Sequence, residues 1–154
     1  MVNVDLAERV IAHIRTLPTA NAMQASELAL EDTYDMRTYG IPNAGEACGT
    51  SACLAGWALS IAYPEDYRRY INRSGLTNLT DLGGLIDGYM IEAQRILGLT
   101  YEQADAMFHA YTATADDHAR VFKLLAEDPD MSGLDVADAY YEGGVVVNDA
   151  YCLL

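Results

Sequence analysis

The chain has 154 residues, 51% apolar and 21% charged, with 23 acidic against 9 basic side chains and a formal net charge of −14. This length suits one compact domain with a real core, so folding requires no disulfide or metal. The acidic excess repels phosphate backbones and anionic membranes, and no stretch of about 18 uninterrupted apolar residues suggests a transmembrane helix, so direct nucleic-acid or membrane binding is not expected.

The first ten residues, MVNVDLAERV, lack the basic and apolar blocks of a secretory signal, which points to a cytoplasmic protein. Cys48, Cys53 and Cys152 are then expected as reduced thiols; a Cys48–Cys53 or Cys53–Cys152 bridge is left open.

In chain order, Asn3 is a suitable N-cap for a first helix whose stripe is Leu6, Val10, Ile14 and Leu17, ended by Pro18. Residues 18–47 are expected to be irregular and loop-rich. They include a short helix over 23–31, an extended segment over 34–39, and a loop marked by Gly40, Pro42, Asn43 and Gly45. A buried helix is expected over 52–63, capped by Thr50 or Ser51 and ended by Pro64, with a short helix over 65–71 after it. Residues 74–84 form a connector.

From Leu85 the helical period returns through Ile86, Tyr89, Met90, Ala93, Ile96 and Leu97. Gly98 is expected as its left-handed terminator, with Leu99 packing behind it. Thr100 and Gln103 form a capping box for a helix facing inward through Ala104, Met107, Phe108 and Tyr111. Thr114 caps the next, with His118, Val121, Phe122 and Leu125 inside. Asp116 and Asp117, close to His118, should favour its charged form. A last helix spans 134–142 and stops at Gly143-Gly144. Val145 to Val147 is at most one short β-like segment, and 143–154 is read as a tail. The expected fold is a single all-α domain, residues 1–154, of six or seven helices around a buried central helix at about 50–63.

The most informative stretch is GEACGTSACLAGWALSIAYPED, residues 45–66. No charge occurs between Ala47 and Pro64, and a helix apolar all round is a buried helix. Its core is expected to include Cys53, Gly56, Trp57 and Ile61, with Phe108 from the later helix. Gly56 costs about 1 kcal/mol relative to alanine in mid-helix. Trp57 can remove on the order of 200 Å² from water. A cysteine at a helix N-terminus can also be an activated nucleophile, which makes Cys48 the candidate of a cysteine-dependent enzyme. The spacing to Cys53 does not fit a papain-like signature. Cys48, Cys53 and Cys152 with His13, His109 or His118 could supply four zinc ligands only at an unusual spacing.

The pattern Cys48-Gly-Thr-x-x-Cys53-x-Ala55-Gly56-Trp57-Ala58 resembles a motif in uncharacterised small proteins of actinobacteria and their bacteriophages. Ile96-Leu97-Gly98-Leu99-Thr100, followed by Met107-Phe108, is similar to a second block in that group. The resemblance covers about a quarter of the chain. It implies a phage or prophage origin, in the host cytoplasm if phage-encoded, and transfers no catalytic residue. A basic set of eight Arg and one Lys, Lys123, agrees with a GC-rich source.

Asp128, Asp130 and Ser132, followed by Gly133, match the first half of an EF-hand loop. The bidentate Glu expected at position 12 is Ala139, so no calcium site is expected. Residues 114–142 carry eight acids against Arg120 and Lys123. Asp116, Asp117, Asp135, Asp138, Tyr140 and Tyr141 are the candidate binding surface for a basic protein partner. The leading expectation is thus a non-enzymatic accessory protein without cofactors that binds an unidentified protein of the host. Self-association is left open. The alternatives are an enzyme using Cys48 and a DNA-mimic inhibitor.

Overall fold

A computed structural model describes residues 1–18, 33–34, 41–42, 50–65 and 86–147. Within them the fold is all-α: six helices share one buried cluster that runs from Val2 to Val145, accompanied by three strands of two or three residues. The expected helices over 23–31 and 65–71, the connector at 74–84, Cys48 and Cys152 lie largely or wholly outside the described residues.

Helix α1 (Val4–Arg15) buries Leu6, Ala7, Val10, Ile11 and Ile14, the stripe set by the 3.6-residue period. Asn3 caps it through Oδ1, which accepts from the Leu6 N–H at 3.1 Å. The Asn3 side-chain amide donates to the Ile96 carbonyl at 3.0 Å, and its backbone N–H donates to the Leu97 carbonyl at 2.9 Å. One residue therefore satisfies orphan groups at the start of α1 and at the end of a helix more than 90 positions later. That crossing needs Gly98, whose φ is 69° and whose missing Cβ would stand 2.1 Å from the Met1 carbonyl oxygen.

Thr50–Ala52 forms strand β3, not the first turn of the central helix. It lies between β1 (Thr33–Tyr34), which runs parallel to it, and β2 (Ile41–Pro42), which runs antiparallel. Thr33 and Ile41 both oppose Ser51. Pro42, expected in a loop, sits on an edge strand, where its lack of an N–H is tolerated. The central helix α2 (Leu54–Ala62) consequently starts at Leu54. Its N-cap is Cys53, with extended backbone and no side-chain cap, instead of Thr50 or Ser51. Backbone pairing to two distant segments outcompetes a local hydroxyl cap here.

Every residue from Cys53 to Leu59 is buried, with Trp57 only 3% exposed. Ile61, expected in the core, is half-buried at its edge. Helix α2 packs on α1 and on α3 (Ile86–Leu97), and the His13 ring meets Trp57 edge-on with centroids 4.7 Å apart. Tyr63 and Arg95 converge on Glu92, clasping the end of α2 to α3.

Helix α3 ends as the sequence implies. The Leu99 N–H reaches back to the Gln94 carbonyl at 3.0 Å, the six-to-one bond of a left-handed glycine stop, and Leu99 is buried. Three capping boxes then open α4 (Tyr101–Phe108), α5 (Ala115–Glu127) and α6 (Gly133–Glu142), built on Thr100/Gln103, Thr114/Asp117 and Ser132/Asp135. Helix α4 stops at Phe108, so Tyr111 lies beyond it and is exposed, contrary to the inward position expected from the period. Val145 to Val147 forms no strand; Val145 folds back instead, its N–H on the Tyr140 carbonyl at 3.0 Å.

Gln103 is 1% exposed and fully bonded. Its Oε1 accepts from the Thr100 N–H at 2.9 Å, while Nε2 donates to the carbonyls of Pro129 at 3.0 Å and Met131 at 2.7 Å. It couples the cap of α4 to the turn between α5 and α6. Gln103→Ala leaves these groups without that partner. A loss of about 2 kcal/mol in urea unfolding, followed by Trp57 fluorescence, is expected.

Candidate functional site

The carboxylates of the C-terminal third divide into those with an internal task and those without one. Asp116 accepts from Arg15 Nε at 3.0 Å and Nη2 at 2.8 Å, tying the start of α5 to the end of α1. Both side chains are more than half exposed, so the pair adds little stability. Asp117 closes the Thr114 capping box and lies 4.0 Å from Arg120. Asp135 accepts from the Ser132 hydroxyl at 2.7 Å and the Ser132 N–H at 2.9 Å, which hold its carboxyl below the usual carboxylate range. Asp138 is exposed.

The two tyrosines part company. Tyr141 is 72% exposed, whereas Tyr140 is fully buried and is not a surface residue. The reason is helical phase. Val136, Ala139 and Tyr140, at spacings of three and four, line the inner face of α6, and Tyr141 lies 100° further round. The Tyr140 hydroxyl is 2.6 Å from His118 Nδ1, and both side chains are sealed from solvent. Burial pushes the Tyr140 hydroxyl up and pushes His118 down to about 3, against the opposing charge of Asp117. His118 is therefore neutral at neutral pH. The charged form expected from its acidic neighbours loses because full desolvation outweighs one partly solvated carboxylate.

Arg120 completes the attachment of α6. Its Nη1 donates to the Ala139 carbonyl at 2.5 Å, close to the helix C-terminus, where a cation complements the dipole. Its Nη2 lies over Gly143, where a Cβ would come within 2.2 Å.

With the inner face held this way, the outer face of α6 presents Leu134, Asp138 and Tyr141 at spacings of four and three. Leu134 is 73% exposed and Tyr141 72% exposed. Leu134 was not recognised from the sequence as part of a site, although its phase opposite Val136 and Tyr140 carries the signal.

The other candidates are dispersed. Cys53 is 2% exposed, and Cys48 lies outside the described residues. His109 sits at the C-cap of α4 with Nδ1 3.2 Å from an Asp105 carboxylate oxygen, apart from the buried His118 and from His13 beside Trp57. In the EF-hand-like turn, Asp128 Oδ1 accepts from the Asp130 N–H at 3.2 Å, and Ser132 caps α6. Among the described residues, no three His, Cys, Asp or Glu side chains converge to hold a metal ion, and no helix is long and apolar enough to cross a membrane. The sequence matches no family model, and comparison with curated proteins and with solved structures returns no significant match.

Proposed function

We propose that this chain is a non-enzymatic accessory protein of phage or prophage type that binds a basic protein of the host through the outer face of α6. The observation that carries the reading is the pair of large apolar side chains, Leu134 and Tyr141, left 73% and 72% exposed on one helix face with Asp138 between them. Leu134 and Tyr141 stand at i and i+7, two of the anchor positions by which a helix lays its apolar face into a partner's groove. Tyrosine is also a favoured anchor at interfaces, where its ring is buried and its hydroxyl stays bonded.

Charge selects the partner. The chain carries −14, and Asp138 and Glu142 stand on the exposed surface of the helix. A second copy of this face would bring like charges together, whereas a groove rimmed by Lys or Arg complements them. The phage or prophage assignment rests on the Cys48–Ala58 and Ile96–Phe108 resemblances.

The reading is tested by affinity capture from host lysate with mass spectrometry, comparing the native chain with Leu134→Asp/Tyr141→Asp. These substitutions lie on the solvent face and should leave helicity and melting unchanged. The native chain should retain a basic protein that the double variant loses at least tenfold, with binding that weakens as salt rises. Equal retention by both chains would remove α6 as the docking element.

A further inference from the structure

The described residues also form a recess away from the α6 face. Helices α1 and α5 pack together, and between them lies a groove of about 310 Å³ lined by Val4, Ala7, Ile11, Ala119, Phe122 and Ala126, with Glu8, Arg15 and Lys123 at its edges. Alanines at 7, 119 and 126 open it, because larger side chains there would fill the space. Ile11 and Phe122 are 4% and 6% exposed and form the floor. The volume is at the lower end of the range for small-molecule sites, about 300–1,000 Å³.

The charges at its edges differ in their occupation. Arg15 is neutralised by Asp116. Elsewhere among the described residues Arg9 pairs with Asp5, Arg95 with Glu92 and Arg120 with Asp117. Lys123 is the one described Lys or Arg with no carboxylate within 4.0 Å, in a chain where acids outnumber bases 23 to 9. An ammonium left unpaired among so many carboxylates, at the edge of an apolar groove, complements an anionic head on an apolar body. Glu8 on the α1 side confines such a head to the α5 side.

We infer that the α1/α5 groove binds a medium-chain fatty acid, its acyl chain over Ile11 and Phe122 and its carboxylate on Lys123. The ligand needs no covalent step; the apolar lining receives part of the acyl chain and the ammonium selects the head group.

The test uses decanoate as probe, with decanol and decyltrimethylammonium as head-group controls, all below their aggregation limits. Binding is read by calorimetry and by amide shifts at Ala119, Phe122 and Ala126. Decanoate should bind at least fivefold more tightly than decanol, and decyltrimethylammonium more weakly still. Lys123→Gln, on an exposed helix position, should abolish the preference for decanoate while leaving decanol binding unchanged. Ala126→Phe should fill the groove and weaken both. No saturable binding, equal affinity for decanoate and decanol, amide shifts elsewhere on the molecule, or an unchanged preference in Lys123→Gln would each overturn the assignment. The α6 variants used to test partner binding should bind decanoate like the native chain, so the two surfaces fail or succeed separately.

Discussion

Gly98→Ala should lower the unfolding free energy by about 4 kcal/mol, a large effect for one added methyl group. Two costs combine. Gly98 has φ 69°, a left-handed conformation that costs an L-residue about 1–2 kcal/mol. The added methyl would also stand 2.1 Å from the Met1 carbonyl oxygen and 3.1 Å from the Asn3 nitrogen, both backbone atoms. The Met1–Asn3 segment must therefore move. It carries the buried Val2, the cap on Leu6 N–H and the bonds to Ile96 and Leu97. Losing a cap costs about 0.5–2 kcal/mol by itself. Asn3→Ala should cost about 1–2 kcal/mol alone and add less than that in the Gly98→Ala background, since both changes free the same segment. Urea unfolding of the four proteins measures this cycle. A Gly98→Ala loss under about 1 kcal/mol would mean that the crossing yields freely and that the glycine is not needed for it.

The second large effect is acid sensitivity. His118 is pushed down to about 3 in the folded chain from an ordinary value of 6.5, so between those limits the unfolded chain binds the additional proton. Stability from the neutral His118–Tyr140 pair is fully present above pH 6.5 and is lost as pH falls toward 3. At about 1.36 kcal/mol per pH unit, acidification from pH 6.5 to pH 4 should remove about 3 kcal/mol. Glu92 and Asp135, both held below the usual carboxylate range, act in the same direction. Because they are common to native and variant chains, they cancel in a comparison with His118→Gln. That variant should be less stable at pH 7 and clearly flatter in its pH profile. Tyr140→Phe should lose about 1–3 kcal/mol at pH 7 because it leaves Nδ1 without its hydroxyl partner. Melting curves of the three proteins from pH 7 to pH 4 decide the matter: parallel profiles would exclude His118 as the source of the slope.

The outer face of α6 was half legible from sequence. Asp138 and Tyr141 stood among the candidate surface residues, but Tyr140 was grouped with its neighbour although the two point 100° apart. Counting phase from Val136 separates them and also exposes Leu134. Asp117 and Asp135 were read as surface charge, whereas each spends its carboxylate on the cap three residues before it. Their hydroxyl partners, Thr114 and Ser132, were visible in the same window, so the information was present. The Lys123 groove had no such signal, because a groove arises only where two helices distant in sequence meet.

The features set by the sequence alone are those whose partners lie within one helical turn: the apolar stripes of α1, α3 and α5, the Thr100/Gln103 box, the Gly98 stop and the charge-free run that buries Trp57. The caps and the glycine stop bond to neighbours within about a turn, and the stripes repeat at the helical period, so a linear reading sees them even though the burial energy of the stripes comes from packing on other helices. The tertiary structure decided what depends on distant pairing. It made Thr50–Ala52 a strand by placing residues 33–34 and 41–42 beside it, and gave Asn3 a second helix to cap. It also kept His118 neutral by excluding water from both sides. Desolvation and backbone pairing are properties of the assembled interior, and they override local propensity wherever the two compete.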